Sequence, residues 1–173
     1  MKPQQTILSA AGASDWIPVN HRGNDFGIGF TCGVDSNWNA TYSIEHSLSN
    51  PEANLAATFG QSTTTITVTL TNHGLTTSDS VILSGTRETG VEGHFEVATV
   101  ADANTFTVTS GTSQTVTAGA RVKVSPMKVF AHDTVNAKTT ADDGGYDLPC
   151  RAVRANITTY TAGVLTVDWV FND

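Results

Sequence analysis

Thr63-Thr64-Thr65-Ile66-Thr67-Val68-Thr69-Leu70 alternates threonine with Ile, Val and Leu, and Asn72-His73-Gly74-Leu75 follows with a glycine able to take positive φ. β-Branched residues at a period of two specify a half-buried strand, and the Asn-His-Gly group specifies a turn out of it. The same pattern repeats downstream. Ser80-Val81-Ile82-Leu83-Ser84, Gly93-His94-Phe95-Glu96-Val97-Ala98-Thr99-Val100, Thr105-Phe106-Thr107-Val108-Thr109 and Ala120-Arg121-Val122-Lys123-Val124 are further short runs, with Asp102-Ala103-Asn104 as a turn. Five strands in this compass predict a small β-barrel over residues 53–125. A unit of that size is marginal alone, and holding both of its ends in a host domain lowers the entropy cost of closing it.

Outward from this segment, residues 1–52 and 126–173 read as two halves of one β-domain. They carry all three tryptophans, Trp16, Trp38 and Trp169, and both cysteines, Cys32 and Cys150. Strand-like alternation marks residues 16–20, 26–34 and 40–46 before the interruption, and 127–130, 152–157 and 163–171 after it. Gly27, Gly29 and Gly33 leave one face of the second run nearly bare, open to a close backbone or a ring. No stretch shows a sustained helical repeat, and at most one short helical turn is expected, near residues 134–138. The expected fold is all-β: an antiparallel β-sandwich of jelly-roll type, residues 1–52 and 126–173, interrupted by an inserted small β-barrel, residues 53–125.

Charge and composition exclude several partners. Four lysines and five arginines are scattered singly in a chain of formal charge −7, so nothing resembles a patch that neutralises a run of phosphates. No apolar run approaches the ~20 residues that span a bilayer, and the first twelve residues lack the apolar core of a secretory signal. The expectation is a soluble protein made in a cytoplasm, with no direct nucleic-acid or membrane partner. Cys32 and Cys150 have no Cys-x-x-Cys spacing and read most simply as two buried free thiols, the alternative being a disulfide that requires their Cα atoms within ~7 Å.

Two resemblances bear on function. His73-Gly74-Leu75, Asp79-Ser80-Val81, Gly85, Gly93-His94-Phe95 and Asn104-Thr105-Phe106-Thr107-Val108 resemble a small β-barrel of phage tail and capsid-associated proteins. That barrel is similar in fold to the first catalytic cysteine half-domain of ubiquitin-activating enzyme. Ser78 stands where a glycine commonly precedes the aspartate, and the motif implies a fold without an activity. The flanking halves resemble phage head decoration or cement proteins, through Tyr42-Ser43-Ile44-Glu45-His46-Ser47-Leu48, Asn50-Pro51, Val129-Phe130-Ala131-His132, Gly144-Gly145-Tyr146, Leu148-Pro149-Cys150-Arg151-Ala152-Val153-Arg154 and Val164-Leu165-Thr166-Val167.

Candidate chemistry is sparse. His21, His46, His73, His94 and His132 show no zinc spacing. His73 and His94 read as turn or strand-edge residues, whereas His46 and His132 flank the interruption on strands that could neighbour one another, most simply for hydrogen bonds to backbone. Asp142, Asp143 and Asp147 lack the pattern of a calcium loop and read as a solvated Asp-Gly-Gly turn. No nucleophile elbow or phosphate loop appears, so the expectation is a non-enzyme with no cofactor and no metal. Alternation points Arg151 and Arg154 to opposite faces, one a surface charge, the other free to pair with Glu45 or Asp168 or to reach a partner. Trp16 and Trp169 read as packing residues, and Trp38, between Asn37 and Asn39, as the tryptophan most exposed and a candidate anchor.

The resemblances imply a bacteriophage virion structural protein: a head decoration protein on the outer capsid surface, binding the major capsid protein as a dimer or trimer, with Trp38, Arg151 and Arg154 as candidate contacts. The alternative is a tail, neck or fibre-associated protein whose inserted barrel binds a receptor or glycan. A hydrolase or carbohydrate-binding module, the third reading, requires a concave site with converging polar groups.

Overall fold

The computed structural model describes residues 2–20, 27–147 and 149–172. His21 and Leu148, named above, and residue 26, the first of the run 26–34, lie outside the described residues. The chain divides into two compact units, Met1–Leu48 with Phe130–Asp173, and Ser49–Val129. Both are all-β and antiparallel, and no helix occurs among the described residues.

The first unit is a sandwich of two sheets. One runs in the order β1 (Lys2–Leu8), β13 (Leu165–Phe171), β4 (Ile28–Val34), β11 (Asp142–Tyr146). The other runs β10 (Phe130–Ala131), β5 (Asn39–Ser47), β12 (Ala152–Ala162), β2 (Gly12–Ala13), with β3 (Ile17–Pro18) also on β12. Alternation sends Phe30, Cys32, Leu165, Val167 and Trp169 from the first sheet, and Tyr42, Ile44, Val153, Ala155 and Ile157 from the second, into one shared core. Trp169 lies opposite Phe30 in register, with ring centroids 5.5 Å apart, and its indole N–H donates to Thr6 Oγ1 at 3.0 Å.

Several elements differ from expectation. β1 was not foreseen, because Lys2-Pro3-Gln4-Gln5-Thr6 has no apolar alternation. Among the described residues it pairs with β13 alone, and on such an edge a proline and polar residues are tolerated. The Asp-Gly-Gly stretch is not a turn but β11, paired with β4. Its glycines permit the approach: a Cβ on Gly145 would lie 2.7 Å from the Ile28 carbonyl oxygen, and one on Gly144 would lie 2.8 Å from the Phe30 ring. Gly29 and Gly33 meet only ordinary contacts: a Cβ there would lie 4.0 Å from Val170 Cβ and 3.9 Å from the Thr166 carbonyl oxygen, respectively. Residues 134–138 form no helical turn. They run along β5 instead, where Ile44 N–H donates to Val135 O and Tyr42 and Lys138 exchange backbone bonds.

The second unit is a curled four-stranded sheet in the order β6 (Leu55–Thr69), β9 (Thr105–Met127), β7 (Ser80–Ser84), β8 (Gly93–Asp102), with β8 also pairing β9. Four strands replace the five expected, because the runs at 105–109 and 120–124 are two ends of the single 23-residue strand β9. Its first end meets β8 and the far end of β6, and its last end meets β7 and the start of β6. Bulges between Phe59 and Gln61 and between Thr63 and Thr65 take up the mismatch. Ile66, Val68, Val81, Leu83, Phe106, Val108 and Val124 form its own core. Thr65, Thr67 and Thr69 lie opposite Thr109, Thr107 and Thr105, facing outward, as the alternation requires.

Candidate functional site

Of the three candidate contacts, Arg154 is buried instead of presented at the surface. It is 2% exposed, and its Nε donates to Glu45 Oε2 at 2.7 Å across the β12–β5 ladder, where the two residues are register partners. Its guanidinium lies 4.4 Å from the centre of the Trp16 ring, and Asn156 Nδ2 donates to the other Glu45 oxygen at 2.9 Å. Two residues apart on one face of β12, Arg154 and Asn156 share a carboxylate, so this arginine is a structural charge rather than a surface contact. Arg151 is half-buried, and its backbone holds Ser47 and Val19. Trp38 is also half-buried rather than exposed. It packs edge-on against Tyr42 at 6.0 Å and lines a small hollow of about 170 Å³ with Asn39, Thr41 and Thr139. The chain closes tightly behind it, since a Cβ on Gly163 would lie 2.6 Å from Trp38 Cα.

The histidines flanking the interruption do come together. His46 on β5, His132 just after β10 and Tyr146 at the end of β11 converge on one cavity of about 740 Å³ in the first unit, whose wall also includes Leu48, Asp133, Thr134, Asp147, Pro149 and Cys150. Tyr146 lies edge-on to both imidazoles, at 5.0 Å from His46 and 4.8 Å from His132. On its other side His46 stacks on Phe130 at 5.6 Å, and Phe130 is 46% exposed.

The two histidines do different work. The backbone N–H groups of Thr134 and Val135 donate to His132 Nδ1 at 3.3 and 3.2 Å, so Nε2 carries the proton and donates to the Gly145 carbonyl at 3.0 Å. His132 is thus the brace that holds β11 against the segment after β10. His46 has no such commitment. Its Nδ1 is buried without a hydrogen-bond partner among the described residues, and so is the Tyr146 hydroxyl. Burial, aided by His132 and opposed by Asp133, lowers the His46 pKa, so the ring is neutral at pH 7. Burial first, then Cys150, Glu45 and Asp133, raises the Tyr146 phenol and keeps it protonated. Burial also pushes the Cys150 thiol up to about 11, which leaves it a protonated, poor nucleophile. The cavity can therefore bind and orient through a neutral imidazole, a phenol and two carboxylates.

Other candidates resolve structurally. Cys32 and Cys150 are buried and unpaired, with Cys32 pushed up to about 12 by burial. His73 accepts from Leu75 N–H and lies edge-on to Phe106, a turn residue. Asp142 pairs with Lys138 at 2.7 Å. Among the described residues no three metal-ligating side chains cluster. Sequence reading missed Tyr146 as a site residue. Its one local signal was a large aromatic directly after two glycines, in a stretch read as turn.

Residues 53–127 match the family described as the beta barrel domain of bacteriophage endosialidase. The match lies within the second unit and falls short of half of the 173 residues. It describes a phage barrel domain, not a head decoration protein and not the half-domain of ubiquitin-activating enzyme. No curated protein matches the chain. Among solved structures, the phage phi92 endosialidase aligns with 73% of this chain at 19% identity, with a TM-score of 0.32. The chain spans only 20% of that protein's length.

Proposed function

We propose that the chain is a non-enzymatic bacteriophage virion protein of the tail, neck or fibre apparatus. The observation that carries this reading is the match of residues 53–127 to a barrel domain of bacteriophage endosialidase. The activity in that name belongs to the protein in which the domain was described. Here the matched segment is a curled sheet with a filled core, and its threonine-lined outer face offers hydrogen bonds without charge. A module of this kind acts by binding, in several symmetric copies whose weak contacts add. Trp38 and Arg151 are its candidate contact residues in the first unit, and assembly as a dimer or trimer is part of the proposal.

A second reading rests on the motifs of the flanking halves, Tyr42 to Leu48 and Pro149 to Arg154, which resemble head decoration proteins. It makes the major capsid protein the partner and the outer capsid surface the location. One experiment separates the two: the copy number of this polypeptide in purified virions, measured by mass spectrometry against the major capsid protein. A closed ring at the tail requires roughly six or twelve copies, whereas a shell covering requires on the order of hundreds. Absence from particles overturns both.

A further inference from the structure

We propose that the cavity between His46 and Tyr146 is a binding site for an uncharged sugar ring. Two buried polar atoms on its wall, Tyr146 Oη and His46 Nδ1, have no hydrogen-bond partner among the described residues. Tyr146 is 9% exposed and both atoms are closed to solvent, so pairing them requires the two side chains to turn toward the cavity they line. A buried donor or acceptor left unpaired is destabilising, and a ligand that pairs both removes that penalty.

The chemistry of the wall selects the ligand. The phenol offers a hydrogen, and the neutral imidazole offers a lone pair or a hydrogen according to its tautomer. A hydroxyl both donates and accepts, so neighbouring hydroxyls on one ring satisfy either arrangement. An ammonium only donates and leaves the phenol hydrogen unmatched. Anions are disfavoured, because Asp133 and Asp147 line the cavity and, among the described residues, no Lys or Arg does. Leu48 and Pro149, with the rings of His46 and Tyr146 on the wall, give the C–H face of a pyranose apolar surface to lie against. The volume, about 740 Å³, falls within the roughly 300–1,000 Å³ of small-ligand sites. His132, bonded through both ring nitrogens, holds Gly145 next to Tyr146.

This inference does not depend on which part of a virion holds the chain, so virion copy number and sugar binding fail separately. The test is ligand-observed saturation-transfer NMR on the full chain. The probes are glucose, galactose, mannose and N-acetylglucosamine, with N-acetylneuraminate as the anionic control and tetramethylammonium as the cationic one. The expected result is transfer to the ring C–H protons of at least one neutral sugar, absent for both controls. Tyr146→Phe is expected to weaken that binding by about tenfold, the loss of one hydrogen bond to the ligand. Its thermal midpoint is expected to be unchanged or higher, since it removes only the orphan hydroxyl. If Tyr146→Phe does not fold, His46→Phe, which removes the other orphan atom and keeps an aromatic face, makes the same comparison. Binding by no neutral sugar overturns the proposal and leaves the orphan groups to ordered water. So does binding by a control alone, or undiminished binding by the folded variant.

Discussion

Arg154 and Glu45 are held out of water on the face of β12 opposite Val153 and Ala155, with Trp16 over the guanidinium. Removing one member of such a pair strands the other's charge. Arg154→Ala is therefore expected to cost about 3–5 kcal/mol in urea unfolding, while replacing both charges with apolar residues of similar volume costs less. His46 carries a pH signature of opposite origin. Burial and the neighbouring His132 lower its folded pKa, with Asp133 opposing. The unfolded chain therefore binds its proton first, near the ordinary histidine value of about 6.5. The stability this histidine contributes is complete above that pH and is lost as pH falls from there through the folded pKa. Unfolding free energy measured from pH 7.5 to 5 is expected to drop, and the drop to be shallower in His46→Gln.

Edge strands are the elements for which the protein's physics is least visible in local pattern. β11 reads Asp142-Asp143-Gly144-Gly145-Tyr146, a turn by composition, and becomes a strand because glycine lets its backbone lie against Ile28 and Phe30. Gly145→Ala places a methyl carbon 2.7 Å from the Ile28 carbonyl oxygen. It is expected to cost about 2 kcal/mol or more in chemical denaturation and to displace Tyr146, seen as loss of its ring-current shift on His132. β1, by contrast, is held by Thr6 on Trp169 and Gln5 on Asp168, contacts that no alternation announces. The central strands β4, β5, β12 and β13 were legible because each buries one face, and a half-buried strand must alternate. β9 was legible at both ends but not in its middle, where residues 110–119 cross two bulges and carry no apolar period.

At the scale of the whole molecule, each unit has its own core and its own closure. The second unit is contiguous, and Asp79 ties down its end: Lys128 Nζ donates to it at 2.6 Å and Val129 N–H at 3.3 Å. Burial works against that carboxylate, but the bonds from Lys128 and Thr76 outweigh it and hold its pKa below the usual range. In the first unit Phe130 pairs with His46, so the two chain ends at residues 48 and 130 lie close on one sheet. Residues 49–129 expressed alone are expected to fold and melt cooperatively. The remaining residues, rejoined by a linker of about 4–6 residues, are expected to keep the near-ultraviolet signature of Trp169. A melt without a transition in either half would show that the units do not fold separately.

The sequence by itself determined that this protein is all-β and which residues of the central strands face inward, because a period of two is a local property of the chain. It also offered Glu45 or Asp168 as a carboxylate for one of the two arginines, Arg151 or Arg154, without choosing between them. Only the tertiary structure decided that the pair, 109 positions apart, meets in register and is buried. The same is true of His46, His132 and Tyr146, which line one cavity with two polar atoms unpaired. Such contacts follow from the order and register of strands in a sheet, and a shift of one residue would turn every one of those side chains to the other face.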